Sequence, residues 1–135
     1  MNTQNNQKFY INGQWVSPNS VQLLDVINPA NEEIIAQITI GNEQDLNNAV
    51  KAAKISFEAW SVSSVEKRLK LLNKLRDIYQ KRFDEMTVAI TTEMGCPRDF
   101  SSDVQTQSGL DHLDDFIEQL KNFNFENKFN EKSNN

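Results

Sequence analysis

Few side chains in this 135-residue chain are of a type and spacing that does chemistry. His112 is the only histidine. A catalytic triad needs a base held against a nucleophile, but His112 stands in DHLDDF, flanked by Asp111, Asp114 and Asp115. These acids do not all share one helical face, so the segment reads as a solvated helix surface rather than a metal site. Cys96 is the only cysteine and lies in the turn Gly95-Cys96-Pro97. A helix C-terminus carries negative partial charge and disfavours a thiolate, so the position suits a turn cysteine better than a nucleophile. The acid pairs Glu32-Glu33, Asp84-Glu85 and Asp114-Asp115 are neighbours in sequence. Nothing sets two carboxylates across a cleft as acid/base hydrolysis requires. Gly13, Gly41, Gly95 and Gly109 lie far apart, so no G-x-G-x-x-G turn or phosphate loop can be drawn.

Size and composition narrow the classes further. The length suits one domain, and 24% charged with 38% hydrophobic residues describes a soluble, globular chain. No apolar run approaches the roughly 20 residues of a membrane span. MNTQNNQK lacks the apolar core of a signal peptide. One cysteine excludes an internal disulfide and fits a reducing cytoplasm. A net charge of −5 argues against nucleic acid and anionic membranes as partners.

The elements that must position any site are organised around Ser63–Pro97. Ser63 with Glu66 predicts a capping box. Leu69, Leu72, Leu75, Ile78, Tyr79, Phe83, Met86 and Ile90 follow in steps of three and four, with Ile78 and Tyr79 adjacent, one apolar helical face. A break is expected near Arg82 to Asp84. Gly95 followed by Pro97 marks the helix stop.

Before this run, residues 1–8 are expected to be disordered. Asn12-Gly13 between FYI and QWV is a hairpin signal. Leu23–Ile27 and Ile34–Ile40 predict a second hairpin, with Pro29 ending its first strand. Asn42 and Asp45 predict a cap. Leu46, Ala49, Val50, Ala53, Phe57 and Trp60 then form a stripe expected to be buried against the next helix. After Pro97, Ser101 or Ser102 is expected to open another helix, with Leu110, Leu113, Phe116, Ile117 and Leu120 on its apolar face. Gly109 lies inside it and weakens it by up to about 1 kcal/mol relative to alanine. Phe123, Phe125 and Phe129 suggest a short strand or extended arm, and residues 130–135 a polar tail. The fold class is α+β: two N-terminal β-hairpins packed with about four α-helices. The helices Glu43 to Trp60 and Ser64 to Met94 are expected to form its core.

FYINGQWV, INPANEEIIAQI, DLNNAVKAAKISFEAWS, EKRLKLLNKLRDIY and TTEMGCP occur in that order and spacing. Together they resemble the N-terminal part of the NAD(P)-dependent aldehyde dehydrogenase superfamily, over about Phe9 to Phe125. The resemblance implies that residues 9–129 are the front part of a coenzyme-binding domain, ahead of its Rossmann-like sheet. It implies a parent reaction in which an aldehyde is oxidised to a carboxylic acid. A thiolate attacks the carbonyl, NAD or NADP takes up hydride, and a glutamate-activated water releases the acid. The family's proline-tryptophan-asparagine motif, cofactor lysine, glycine turn, glutamate base and nucleophilic cysteine do not occur in these residues. Cys96 occupies a position where the family often has lysine.

Two partial sites follow from the resemblance. Glu93 and the backbone carbonyl of Val26 match ligands of a monovalent-cation site, of which a further ligand lies beyond this sequence. Gln107 and Ser108 match a helix lining the substrate entrance. Without the resemblance, Glu93 is a helix-end acid near Arg98. The expected function is therefore that of an aldehyde dehydrogenase N-terminal fragment, inactive alone and binding no cofactor by itself. Its partner would be the remainder of the enzyme or a full-length relative. The alternatives are a non-catalytic binding or complementation module and a decayed gene product.

Overall fold

The structure, a computed structural model, describes residues 5–126. Phe129, the 130–135 tail and residues 1–4 lie outside the described residues. Two antiparallel hairpins come first. β1 (Phe9–Ile11) pairs with β2 (Gln14–Val16), and β3 (Leu23–Ile27) pairs with β4 (Ile34–Thr39), with a register shift between Val26 and Ile27. Asn12 and Gly13 have φ of 52° and 77°, the left-handed pair that a tight hairpin turn requires. Helices α1 (Glu43–Ser61), α2 (Val65–Lys81) and α3 (Phe83–Met94) follow. The last helical run joins α4 (Arg98–Phe100), a π-helical turn (Ser101–Thr106) and α5 (Gln107–Asn122). No described helix is long and apolar enough to cross a membrane.

Helix starts follow side-chain chemistry. At α1 the Asn42 side chain accepts from the Asp45 amide, and Asp45 accepts from the Asn42 amide, a full capping box. Asp45 also accepts from the backbone and side-chain amides of Asn19, each at 2.8 Å. One buried carboxylate thus ties the loop before β3 to the start of α1. Donation from the Asn19 backbone, then from Asn42, holds the Asp45 carboxyl below its ordinary 3.8. A lowered folded value means a contribution present above the unfolded value and lost as pH falls through the folded one. Asp45→Asn is therefore expected to be less stable than the wild type near neutral pH. The gap should close below pH 3.8, read as urea midpoints across an acid series. A gap that is constant with pH would refute the charged cap.

The cap of α2 is Ser64, which accepts from the Lys67 amide; Ser63 and Glu66 do not form the expected box. The Ser63 hydroxyl is already engaged. It donates to the Trp60 carbonyl at 2.6 Å and accepts from Arg68 Nε at 2.9 Å. Arg68 also donates to the Trp60 and Ser61 carbonyls and lies over the rings of Trp60 and Phe125. One guanidinium thus closes the end of α1 and stacks on one face of Phe125, which stays 53% exposed. The break between α2 and α3 falls at Arg82, as expected.

The core differs from the expected one. Its buried apolar residues are Leu110, Ile117 and Leu120 of α5, which packs on α2, while α3 packs on the π turn. The α1 stripe is open: Leu46, Phe57 and Trp60 are 63%, 64% and 44% exposed. The periodicity was that of a buried face, but α1 makes its main contact with β1 and not with α2. Helical spacing shows that a face needs covering, not that this chain covers it. The two helices that do meet are complementary in charge. Basic α2 lies against acidic α5, and Arg76 donates to Asp114 at 2.9 Å. That contact lowers the Asp114 carboxyl.

Candidate functional site

The second hairpin and the end of α3 converge. Asn28 organises the hairpin turn: its side chain accepts from the Ala30 amide, and its carbonyl from the Glu32 amide. Gly95 ends α3 in the left-handed region with φ 65°, and its amide donates to the Thr91 carbonyl. A Cβ at Gly95 would stand 2.7 Å from the Ala30 nitrogen and 2.8 Å from Pro29 Cγ. The absent side chain lets turn and helix touch. Glu93 is exposed on the last turn of α3, two residues before Gly95, and half-buried Val26 stands in β3 opposite Ala36. Arg98 lies 3.9 Å from Asp84, so Asp84 is the acid it meets.

Beyond Pro97 the chain builds a buried polar seam. The helical run opens at Arg98, three residues before the expected serines, with Pro97 as its N-cap residue. Ser101 and Thr106 are completely buried and Thr87 nearly so. Thr87 donates to Thr106 Oγ1 at 3.0 Å, and the Tyr79 hydroxyl to the Thr106 carbonyl at 3.0 Å. Burial pushes the Tyr79 phenol up. Cys96 Sγ lies 2.9 Å from Ser101 Oγ, which also meets the Pro97 carbonyl. Cys96 is half-buried, with its thiol against the Ser101 hydroxyl across the turn.

Gln107 and Ser108 open α5, both half-buried. Gln107 donates to Asp111 at 2.7 Å and the Ser108 hydroxyl to the Val104 carbonyl at 2.6 Å. They are neighbours on one helical turn, while Glu93 lies near the end of α3 and Val26 in β3. His112 is exposed. No group of three or more His, Cys, Asp or Glu is placed to hold a metal among the described residues.

Sequence reasoning missed Tyr79, Thr87 and Gly109. A Cβ on Gly109 would overlap the Tyr79 hydroxyl, so this glycine admits a side chain from α2 and is not merely a weak helix former. Ser101 and Thr106, five residues apart and both buried, mark the π turn only once their partners are placed. Between α2 and α3 lies an open groove of ≈ 770 Å³, lined by Leu75, Ile78, Tyr79, Met86 and Val88, with Arg82 and Glu85 among its polar lining.

The family model described as the aldehyde dehydrogenase family matches residues 15–135. A curated Staphylococcus epidermidis protein carrying an aldehyde dehydrogenase name is 44% identical over 119 residues, covering 88% of this chain and 25% of that protein. A Staphylococcus aureus protein of the same name is 40% identical over 121 residues, 90% of this chain and 26% of its own length. The chain thus spans about a quarter of the length of these relatives. Among solved structures, aldehyde dehydrogenase from Bartonella henselae superposes with a TM-score of 0.88 at 38% identity, over 94% of this chain and 27% of that one. A mutant aldehyde dehydrogenase C from Pseudomonas syringae, crystallised with NAD+ and octanal, gives 0.90 at 31% identity, over 93% and 26%.

Proposed function

This chain belongs to the aldehyde dehydrogenase family, and we propose that it forms the front part of the coenzyme-binding domain of an enzyme oxidising an aldehyde to a carboxylic acid. The observation that carries this reading is the superposition on a quarter of a solved aldehyde dehydrogenase, with 94% of this chain accommodated. In this reading the dinucleotide, NAD or NADP, accepts the hydride and is held by parts of the enzyme beyond this span. The residues described here supply scaffold. Residues 9–129 are the domain portion, and the single cysteine suits a cytoplasmic enzyme.

Two groups of side chains take parts in that reading. The Glu93 carboxylate and the Val26 carbonyl are hard oxygen donors of the kind a monovalent cation takes. The Gly95–Ala30 contact brings their two elements together, and a cation there would neutralise Glu93 and brace the hairpin. Gln107 and Ser108, both half-buried at the start of α5, would face the incoming aldehyde.

The purified 135-residue chain is expected to give no aldehyde-dependent NADH or NADPH above the protein-free blank. A rate proportional to chain concentration would overturn the assignment of a scaffold role. The exposed stripe of α1 favours a second reading, a complementation module that binds the remaining three quarters of such an enzyme. In that case the partner's arrival would displace a hydrophobic dye from α1.

A further inference from the structure

The seam around Thr106 does more than fill space. Ser101 and Thr106 are both completely buried, five residues apart. In an α-helix five residues turn the chain through about 500°, so the two would point about 140° apart. Each nevertheless has a fixed partner: Ser101 meets Cys96 and the Pro97 carbonyl, while Thr106 meets Thr87 and Tyr79. The π turn over Ser101–Thr106 reconciles these anchors by taking up the extra residue. The Gln107 amide accordingly donates to the Ser102 carbonyl, five residues back, and shares that hydrogen with the Val104 carbonyl, three back. The Val104 carbonyl, within the π turn, accepts from Ser108. Downstream, α5 is pinned by buried Leu110, Ile117 and Leu120 and by Arg76–Asp114.

We propose that Tyr79, Thr87 and Gly109 form a latch that holds the π turn and thereby sets the register between the Pro97 turn and the start of α5, where Gln107 and Ser108 lie. Tyr79 and Thr87 supply the two donors, and Gly109 supplies the space through which the Tyr79 ring reaches Thr106. They are positioning residues, acting through the backbone that carries Gln107 and Ser108. Their bearing on the aldehyde rests on the reading of those two residues as substrate-facing; the latch itself does not.

The test is Tyr79→Phe in the full chain, followed by NMR. Without the phenolic donor, the Gln107 amide is expected to move from the Ser102 carbonyl to that of Asp103, four residues back. With α5 pinned, the side chains over 102–106 would rotate by about 100° relative to Gln107 and Ser108. Exchange of the amides over 102–108 should quicken about fivefold to tenfold, the equivalent of one hydrogen bond. Thr87→Val, which keeps the branched shape, is expected to quicken the same amides. Shifts in β1–β4 and α1 should stay in place. Unaltered pairing and exchange in both variants would overturn the latch. So would loss of the whole helical circular-dichroism signal in Tyr79→Phe, which would make Tyr79 a general fold determinant. Neither result depends on whether Gln107 or Ser108 touches an aldehyde, so failure of that reading would be seen separately.

Discussion

Gly95→Ala is expected to destabilise the chain by about 2–4 kcal/mol, from left-handed strain and a contact that cannot relax. The φ of 65° alone costs an alanine roughly 1–2 kcal/mol. The larger part is steric. The new Cβ would meet backbone nitrogen of Ala30 at 2.7 Å and the ring of Pro29 at 2.8 Å. Neither is the free end of a flexible side chain. Relief requires the hairpin turn to lift from the end of α3. Gly13→Ala is the internal control: its φ is 77°, but nothing lies within 4 Å of the added carbon. It should show the conformational cost alone, roughly 1–2 kcal/mol. The difference between the two urea midpoints measures how firmly hairpin and helix are docked. Equal losses at the two positions would mean that the junction beside Glu93 contributes nothing.

What was legible in the sequence was local or collective. Asn12-Gly13, Asn42 with Asp45, and Gly95 each specify one backbone geometry through their own chemistry, and each stands where expected. Five weak motifs in register carried the family because order and spacing multiply their specificity. Competition between neighbours was not legible. Ser63 and Ser64 are equal candidates for a cap until the end of α1 claims the first. The π turn was hidden because its cause is tertiary: partners on α2 and α3 decide which faces of 101–106 must be buried. Of the candidate site residues, Gln107 and Ser108 adjoin that turn, whose Thr106 carbonyl accepts from a tyrosine 28 residues before Gln107.

The most informative contrast lies between two faces with the same apolar pattern. Ile117 is 6% exposed against α2, so Ile117→Ala is expected to cost about 2–5 kcal/mol in urea unfolding of the chain. Phe57 is larger but 64% exposed, so Phe57→Ala should fall within about 0.5 kcal/mol of the wild type. The order should reverse in association. If the remainder of an aldehyde dehydrogenase covers α1, Phe57 becomes buried and its truncation should weaken binding by about 1–3 kcal/mol. Ile117, already covered from within, offers the partner little. Calorimetric titration of each variant with the complementary part of a relative reads this second arm. A Phe57→Ala chain as unstable as Ile117→Ala would place α1 in the chain's own core. A Phe57→Ala chain that is stable and binds undiminished would remove α1 from the interface. The stripe that periodicity marks as buried is in this view a core residue set whose other half is encoded elsewhere.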